Sequence, residues 1–437
     1  VRLPRTAPVA VVGLGFAAFG ALWWTAGLNR ANDWVPAFLL GYTLTWFSYV
    51  VASIVVTRTR VPRWMILWII IGAIGLRVAA LHRTPPLSTD VWRYLWDGRV
   101  ANAGINPFQY PPNAREVSHL RDANWQPINF KHISTIYPPT AEMLFSALAR
   151  IRDQDAEAFR WAFMFFDVGN VLLLIVLLRR TSHPPERVIW YAWCPLPIVE
   201  STAGAHVDSV GIFLLLLAFL FTHRADGKPS IASGVFLAAS VMAKGYSLLA
   251  TPFFLRRGGW RTAVAFAVTS IALILPYLNA GRQLFGGLGA YLGAWETNSS
   301  IFLLIDRNLR SVTEAHSLIA RIVTIAMIVV AIAVLAWRQK PGLESLMGSS
   351  FAVFGAQLFL GAPTLPWYAA WLIPALCWRV IPGVVLFTLT VSAQYYARWL
   401  FPGDAAMHDA LLWIGYLPVY ALLLGQAVKH IFSERGR

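Results

Sequence analysis

The chain of 437 residues predicts an all-α polytopic membrane protein, and three observations carry that prediction. Hydrophobic residues make up 57% of it and charged residues only 13%, about half the ~25% charged share of a soluble domain. Apolar runs of about 20 residues recur along the chain, each long enough as a helix to cross roughly 30 Å of hydrocarbon. Lys and Arg gather in short stretches between those runs, the pattern of cytoplasmic loops.

The first run, residues 7–27, ends in WWTAGLNRAND without a small-residue cleavage site, so it is expected to be a retained span. Further candidate spans are 36–56, 64–81, 158–178, 187–203, 209–222, 229–244, 247–256, 262–278, 316–336, 345–361, 366–378, 380–397 and 409–429. The pieces within 229–256 and 366–378 are short, so about 12–14 crossings are expected. No fixed period and no likeness between the halves is visible, so the inverted repeat of many transporters is not apparent.

The basic clusters are VRLPR at the start, TRTRVPR (57–63), LRRTSHPPER (178–187), HRADGK (223–228), LRRGGWR (255–261), WRQK (337–340) and KHIFSERGR (429–437). A cytoplasmic N-terminus puts all seven on the cytoplasmic side, provided TIYPPTAEMLFSALARI (135–151) dips and returns or lies along the interface. Its apolar part is short for a span. The exoplasmic side then carries a long loop, 82–157, a second at 279–315, and tips near 200–208, 244–247, 362–367 and 398–408. The whole chain, 1–437, reads as one integral membrane domain whose long loop has the Trp and Tyr of interfacial or re-entrant helices.

The net charge of +15, from 36 basic and 21 acidic residues, is accounted for by these retention clusters, so the expected partner is the lipid bilayer and not nucleic acid. Cys194 and Cys377 lie in apolar surroundings and predict neither a disulfide framework nor a metal knuckle. There is no P-loop, no GxGxxG and no HExxH. His206 and Asp208 lack the GxSxG elbow of a hydrolase. They could join Asp90 around a divalent ion, but no clear third carboxylate accompanies them. No metal and no cofactor is expected.

Polar residues outside the basic loops fall on the predicted exoplasmic side. LSTDVWRYLWDGRV, residues 87–100, supplies Asp90, Arg93, Tyr94, Asp97 and Arg99. Tyr137 opens the returning segment, and VESTAGAHVDS contributes Glu200, His206 and Asp208. Lys244 lies in MAKGYSLL, Glu296 and Asn298 in AWETNSS, and Trp367 and Tyr368 in TLPWYAAW. Ionisable groups at membrane depth are costly to keep, which makes such a gathering a candidate site.

On a helix, Asp90, Tyr94 and Asp97 share one face, by i, i+4 and i, i+7 spacing. A carboxylate there can take a proton from an alcohol, aromatic rings can stack on a sugar, and Arg93 and Arg99 can grip phosphate bidentately. His206 and Lys244 add donors toward a leaving phosphate. Asp90 could instead cap its helix, but Ser88 or Thr89 is the expected cap, which leaves Asp90 free in the first turn. Asp167, in mid-span, reads as a hydrogen-bond partner for Asn170 or a neighbouring helix. Glu142 and Glu344 receive no role.

STDVWRYLWDGRVANAGINPFQYPP, TIYPPTAEMLF, AHVDSVGIFLLLLAF, AKGYSLLATPFFL and LPWYAAWLIPAL occur in an order that resembles the GT-C superfamily of membrane glycosyltransferases. The likeness is greatest to bacterial polyprenyl-phosphate-mannose-dependent mannosyltransferases and runs through most of residues 60–380. It implies a GT-C type helical bundle and inverting transfer of a sugar, mannose above all, from a polyprenyl-phosphate donor to a glycolipid or glycan acceptor. The site would open at the outer face of the plasma membrane. The resemblance matches Asp90 to the essential acidic residue at the start of such enzymes' first large exoplasmic loop, Tyr137, Pro138 and Pro139 to their YPP segment, His206 and Asp208 to their His-x-Asp element, and Lys244, Tyr246 and Ser247 to their Lys-Tyr-Ser segment. Together with the reading of the residues themselves, Asp90 is expected to be the catalytic base, and Arg93, Tyr94, Asp97, Arg99, Tyr137, Glu200, His206, Asp208, Lys244, Trp367 and Tyr368 to bind substrate. Such relatives often read His-Pro-Trp-Tyr where this chain has Leu365, Pro366, Trp367 and Tyr368, which bears on how the donor phosphate is held. The rival readings are a lipid-linked-sugar flippase, a non-catalytic lipid-binding partner, and the same chemistry with another sugar.

Overall fold

The computed structural model describes residues 7–27, 34–83, 88–152, 155–223 and 228–435. Among them the chain is helical throughout, with only two isolated bridges, Thr222 to Pro229 and Thr297 to Pro363. Long apolar runs form single helices because a bilayer offers the backbone no other partner for its amides. They are α1 (Ala7–Gly27), α2 (Trp34–Arg58), α3 (Met65–Arg83) and, after the long excursion, α6 (Ala156–Arg180). Inside the excursion lie α4 (Asp90–Asn102) and α5 (Pro139–Ile151), each of 13 residues, too short to span.

Eight helices among the described residues are long and apolar enough to cross a membrane, or nine if one bent pair counts as a span. The 12–14 crossings expected from sequence are therefore too many by this measure. The runs at 187–203 and 209–222 yield a pair, Pro195–Ala203 and α7 (Asp208–Leu220), bent by 119°. The run at 229–244 gives α8 (Ile231–Ala243), which is too short to count. The runs at 247–256 and 262–278 meet in α9 (Thr251–Ile274), where Gly259 turns the backbone at φ 69. The expected spans at 366–378 and 380–397 are short helices of four to nine residues separated by prolines and turns. Three more long helices close the bundle: α10 (His316–Arg338), α11 (Leu343–Leu360) and α12 (Ala405–Arg435). The second predicted loop, 279–315, is itself largely helical, with Gly286–Ala294 and Ile301–Leu309 as its main pieces.

Two contacts hold the excursion together. α4 lies against α5 so closely that a Cβ on Gly98 would stand 2.4 Å from the Phe145 carbonyl oxygen, so the WDGR sequence needs its glycine. Tyr94, fully buried, stacks on Phe145 with ring centroids 4.4 Å apart and meets Tyr137 edge-on at 4.9 Å. Below, Arg77 of α3 and Asp167 of α6 form an ion pair with no exposure on either side. The Arg77 Nη1 also donates to the carbonyls of Ala73 and Ala192, and the Tyr191 hydroxyl donates to Asp167. Asn170 turns to Tyr191 and Ser209. Asp167 thus ties neighbouring helices together, with Arg77 as its principal partner and not Asn170.

Candidate functional site

A cleft of about 290 Å³ lies between the excursion and the ends of the broken helices. Its walls include Asp90 and Arg93 of α4, Asn129, Tyr137, Lys244, Tyr291, Trp295, Leu365, Trp367, Tyr368 and Tyr395. Asp90 stands in the first turn of α4, where the Ser88 hydroxyl accepts a hydrogen bond from its backbone N–H at 3.2 Å. Its carboxylate is therefore not spent on capping. Oδ1 accepts from the Asn129 amide at 2.9 Å and Oδ2 from the Tyr137 hydroxyl at 3.4 Å. Burial, followed by the Asp90 charge, pushes the Tyr137 phenol well above its usual range, so it stays protonated and donates. Two neutral donors orient the carboxylate without supplying a countercharge.

Arg93 is the cation on the same wall. Its Nε donates to both oxygens of Asp97, at 2.9 and 2.8 Å, and Nη1 to the Ile133 carbonyl at 3.0 Å. Nη2 is buried without a hydrogen-bond partner among the described residues. Burial raises the Asp97 carboxyl above its usual range, and the Arg93 guanidinium pulls it back only in part. Asp97, Thr135 and Glu142 form one buried cluster in which the Thr135 hydroxyl donates to Glu142 at 2.6 Å.

Lys244 occupies the break after α8, where the backbone turns extended at φ −154. Its Nζ lies 3.3 Å from an Asp208 oxygen and over the rings of Tyr137 and Tyr368, at 5.7 and 5.3 Å from their centroids. The other Asp208 oxygen accepts from the Trp371 indole at 2.7 Å.

The bend between Ala203 and Asp208 supplies a second layer. A π-helical turn over Val199–Ala203 ends the first half, and Ala205 takes a left-handed φ of 51 just before His206. The Glu200 carboxylate accepts from the Tyr395 hydroxyl at 2.9 and 3.1 Å, and the His206 Nδ1 sits 3.1 Å from its Oε2. The His206 ring stacks on Trp367 at 3.8 Å. Glu200, His206 and Asp208 therefore do not line the cleft. Each stands one residue behind it, holding Tyr395, Trp367 and Lys244 respectively.

Of the residues singled out in the sequence, the cleft brings together Asp90, Arg93, Tyr137, Lys244, Trp367 and Tyr368. Asp97 supports Arg93, and Tyr94 belongs to the aromatic core beneath. Arg99 is directed elsewhere: it pairs with Asp122 at 2.9 Å and donates to the Leu120 carbonyl, pinning the loop. Glu296 is engaged by Ser317 and Arg321. Asn298, at a left-handed φ of 52, donates to the Thr364 carbonyl.

Sequence reasoning missed Asn129, Phe130, Tyr291, Trp295, Gln394 and Tyr395. Phe130, at φ 45, sets its ring 4.3 Å from Trp295. The Tyr291 and Tyr368 hydroxyls share a hydrogen bond. Trp295 lies beside the noted Glu296 and could have been found there, whereas Gln394 and Tyr395 sit in what reads as an ordinary span. No group of three or more His, Cys, Asp or Glu placed to hold a metal occurs among the described residues.

Residues 6–257, more than half of the chain, match the family model described as alpha-(1->6)-mannopyranosyltransferase, N-terminal domain. The matched part carries Asp90, Arg93, Tyr137 and Lys244 and ends before Trp367 and Tyr395. No curated protein matches the chain.

Proposed function

Since the chain belongs to the alpha-(1->6)-mannopyranosyltransferase family, and is thus a mannosyltransferase built into a membrane, we propose that it takes mannose from a polyprenyl-phosphate donor. The acceptor is a glycolipid or glycan at the outer face of the plasma membrane. A 1→6 linkage makes the attacking oxygen the primary 6-hydroxyl of the acceptor. Inversion to an α product calls for a β-linked donor.

The observation that carries this reading is the pairing, in one cleft, of a carboxylate held by neutral donors with two cations. Asp90 lines the space as the candidate base, its carboxylate held by Asn129 and Tyr137. Arg93 and Lys244 line the same space and serve as its anion partners. In the transfer, the acceptor oxygen bonds to the anomeric carbon as that carbon's bond to the phosphate oxygen breaks. The hydroxyl proton passes to Asp90, and the electron pair leaves on polyprenyl phosphate, where the two cations stabilise it. Trp367 and Tyr368 provide faces for the sugar ring. Glu200, His206 and Asp208 act through the residues they hold, as positioning residues.

The orientation is read from the sequence, in which short basic stretches between apolar runs mark the cytoplasmic side and the excursion is assigned to the opposite one. The polyprenyl tail then lies among the spans, with its phosphate at the headgroup level.

Asp90→Asn tests the reading. In purified protein supplied with a labelled polyprenyl-phosphate mannose, it should lower transfer by roughly 10²–10⁴, the usual contribution of a general base. Donor binding and melting temperature should be unchanged. Wild-type turnover in that variant would end the assignment.

A further inference from the structure

A second cavity, about 310 Å³, lies beside the cleft and shares Thr297 and Gln394 with it. Building on the reading above, we infer that this second cavity binds the acceptor as a neutral carbohydrate chain, holding the sugars that precede the one being extended.

The two cavities differ in character. The cleft has Lys244 and Arg93 facing its space and suits an anionic head. In the second cavity, the charged groups among the described residues are already partnered. Glu296 accepts from Ser317 and Arg321. Arg307 pairs with Asp409 at 2.6 Å. The His408 Nε2 lies 2.9 and 2.8 Å from the carbonyl oxygens of Ala397 and Phe401.

What is left open is neutral. Gln394 is 9% exposed, and among the described residues neither its Oε1 nor the buried Thr390 hydroxyl has a hydrogen-bond partner. Buried polar atoms are rarely left so unless a ligand or water completes them. Phe387, Leu412 and Tyr416 face the same space. A pyranose presents what this lining calls for, an apolar C–H face against the rings and hydroxyls along its edge. Gln394, standing in both linings, marks the junction where a chain seated in one cavity would offer its terminal 6-hydroxyl to the other.

The test uses full-length protein in nanodiscs and methyl glycosides of α-(1→6)-linked mannose with one, two or three sugars. In the wild type the acceptor KM should fall as the chain lengthens. Thr390→Val and Gln394→Leu should each raise KM for the three-sugar acceptor about fivefold, the loss of one neutral hydrogen bond. Thr390→Ser, which keeps the hydroxyl, should not. With Thr390→Val the rise should be confined to the acceptor, leaving donor KM where it was. Direct binding of the trisaccharide glycoside to the Asp90→Asn protein separates this inference from the one it rests on. Binding that survives Asp90→Asn and is lost on adding Thr390→Val supports the cavity even if Asp90 proves not to be the base. A chain-length dependence identical in wild type and Thr390→Val, or a donor KM that rises in place of the acceptor KM, overturns it.

Discussion

Replacing Lys244 by Met probes the cleft most directly, because the side chain stands in two relationships at once. Its Nζ is 3.3 Å from Asp208, which is 1% exposed, and it faces the cleft over Tyr137 and Tyr368. If the ammonium stabilises the departing phosphate, its removal resembles the loss of one transition-state donor. Such losses lower kcat by about 10²–10³, or roughly 2.7–4 kcal/mol. The same change also strands Asp208, whose remaining partner is the Trp371 indole at 2.7 Å. A buried carboxylate that loses its cation costs about 3–5 kcal/mol in stability. Lys244→Met alone should therefore lower both kcat and melting temperature, and either effect could be mistaken for the other.

The double variant Lys244→Met, Asp208→Asn separates them. It removes the stranded charge and keeps an acceptor for Trp371, so most of the lost melting temperature should return. Activity should not return, because no cation then stands on that wall. The assay is release of polyprenyl phosphate under single-turnover conditions at a temperature well below either melt. Recovery of the double variant to within a few-fold of wild type would refute a role toward the phosphate and reduce Lys244 to a countercharge for Asp208.

Three other outcomes follow from the geometry. Arg77→Met leaves Asp167 buried with only the Tyr191 hydroxyl, so it should destabilise by about 3–5 kcal/mol; a melting curve that overlays wild type would contradict this. Burial raises the Glu142 carboxyl well above its usual range, and Asp97 adds to the shift. Between the ordinary glutamate range and that raised value, the native state keeps a proton that the unfolded chain releases, so stability falls as pH rises through the window. Glu142→Gln should flatten that fall; equal pH slopes for the two proteins would count against it. Finally, Ala123, exposed on the excursion, and Lys340, exposed beyond α10, should differ as cysteines. A membrane-impermeant maleimide should label Ala123→Cys in intact cells and Lys340→Cys only after lysis, and the reverse pattern would invert the topology.

The uninterrupted spans were legible in the sequence because apolar length alone decides them. Residues 7–27 and 36–56 become α1 and α2, and 158–178 becomes α6, since nothing but a helix satisfies a backbone in hydrocarbon. The breaks were not legible. The runs at 187–203 and 366–378 are as apolar as their neighbours, yet prolines at 195, 197, 366 and 374 and packing against other segments divide them. Asp90 was legible for a local reason, a carboxylate just after two better caps. Tyr395 was not, because its significance comes from Glu200, 195 positions away in sequence. Arg99 misled for the converse reason. Its place in the same polar stretch as Arg93 suggests a shared grip on phosphate, but its partner Asp122 belongs to a loop fold that has no periodicity to read.

The cost of the broken helices explains the arrangement of the charges. Each break leaves backbone groups unpaired in an apolar surrounding, and the structure satisfies them locally: the Glu200 carbonyl accepts from the His206 backbone N–H at 3.0 Å and lies 3.0 Å from its ring Nδ1. Once that turn exists, three polar side chains within nine residues point at three different walls of the cleft, through Tyr395, Trp367 and Lys244. A rigid bend of this kind sets the separation between the wall that carries the cation and the wall that carries the aromatic faces. It does so from a layer that does not line the cleft. Conservative changes at Glu200 or His206 should therefore shift KM and kcat together by moving Tyr395 or Trp367, whereas Asp90→Asn, on the proposed role, should lower kcat and leave donor binding where it was. Glu200, His206, Asp208 and Lys244 stand at the breaks, where an apolar bundle both requires polar groups and can hold them still.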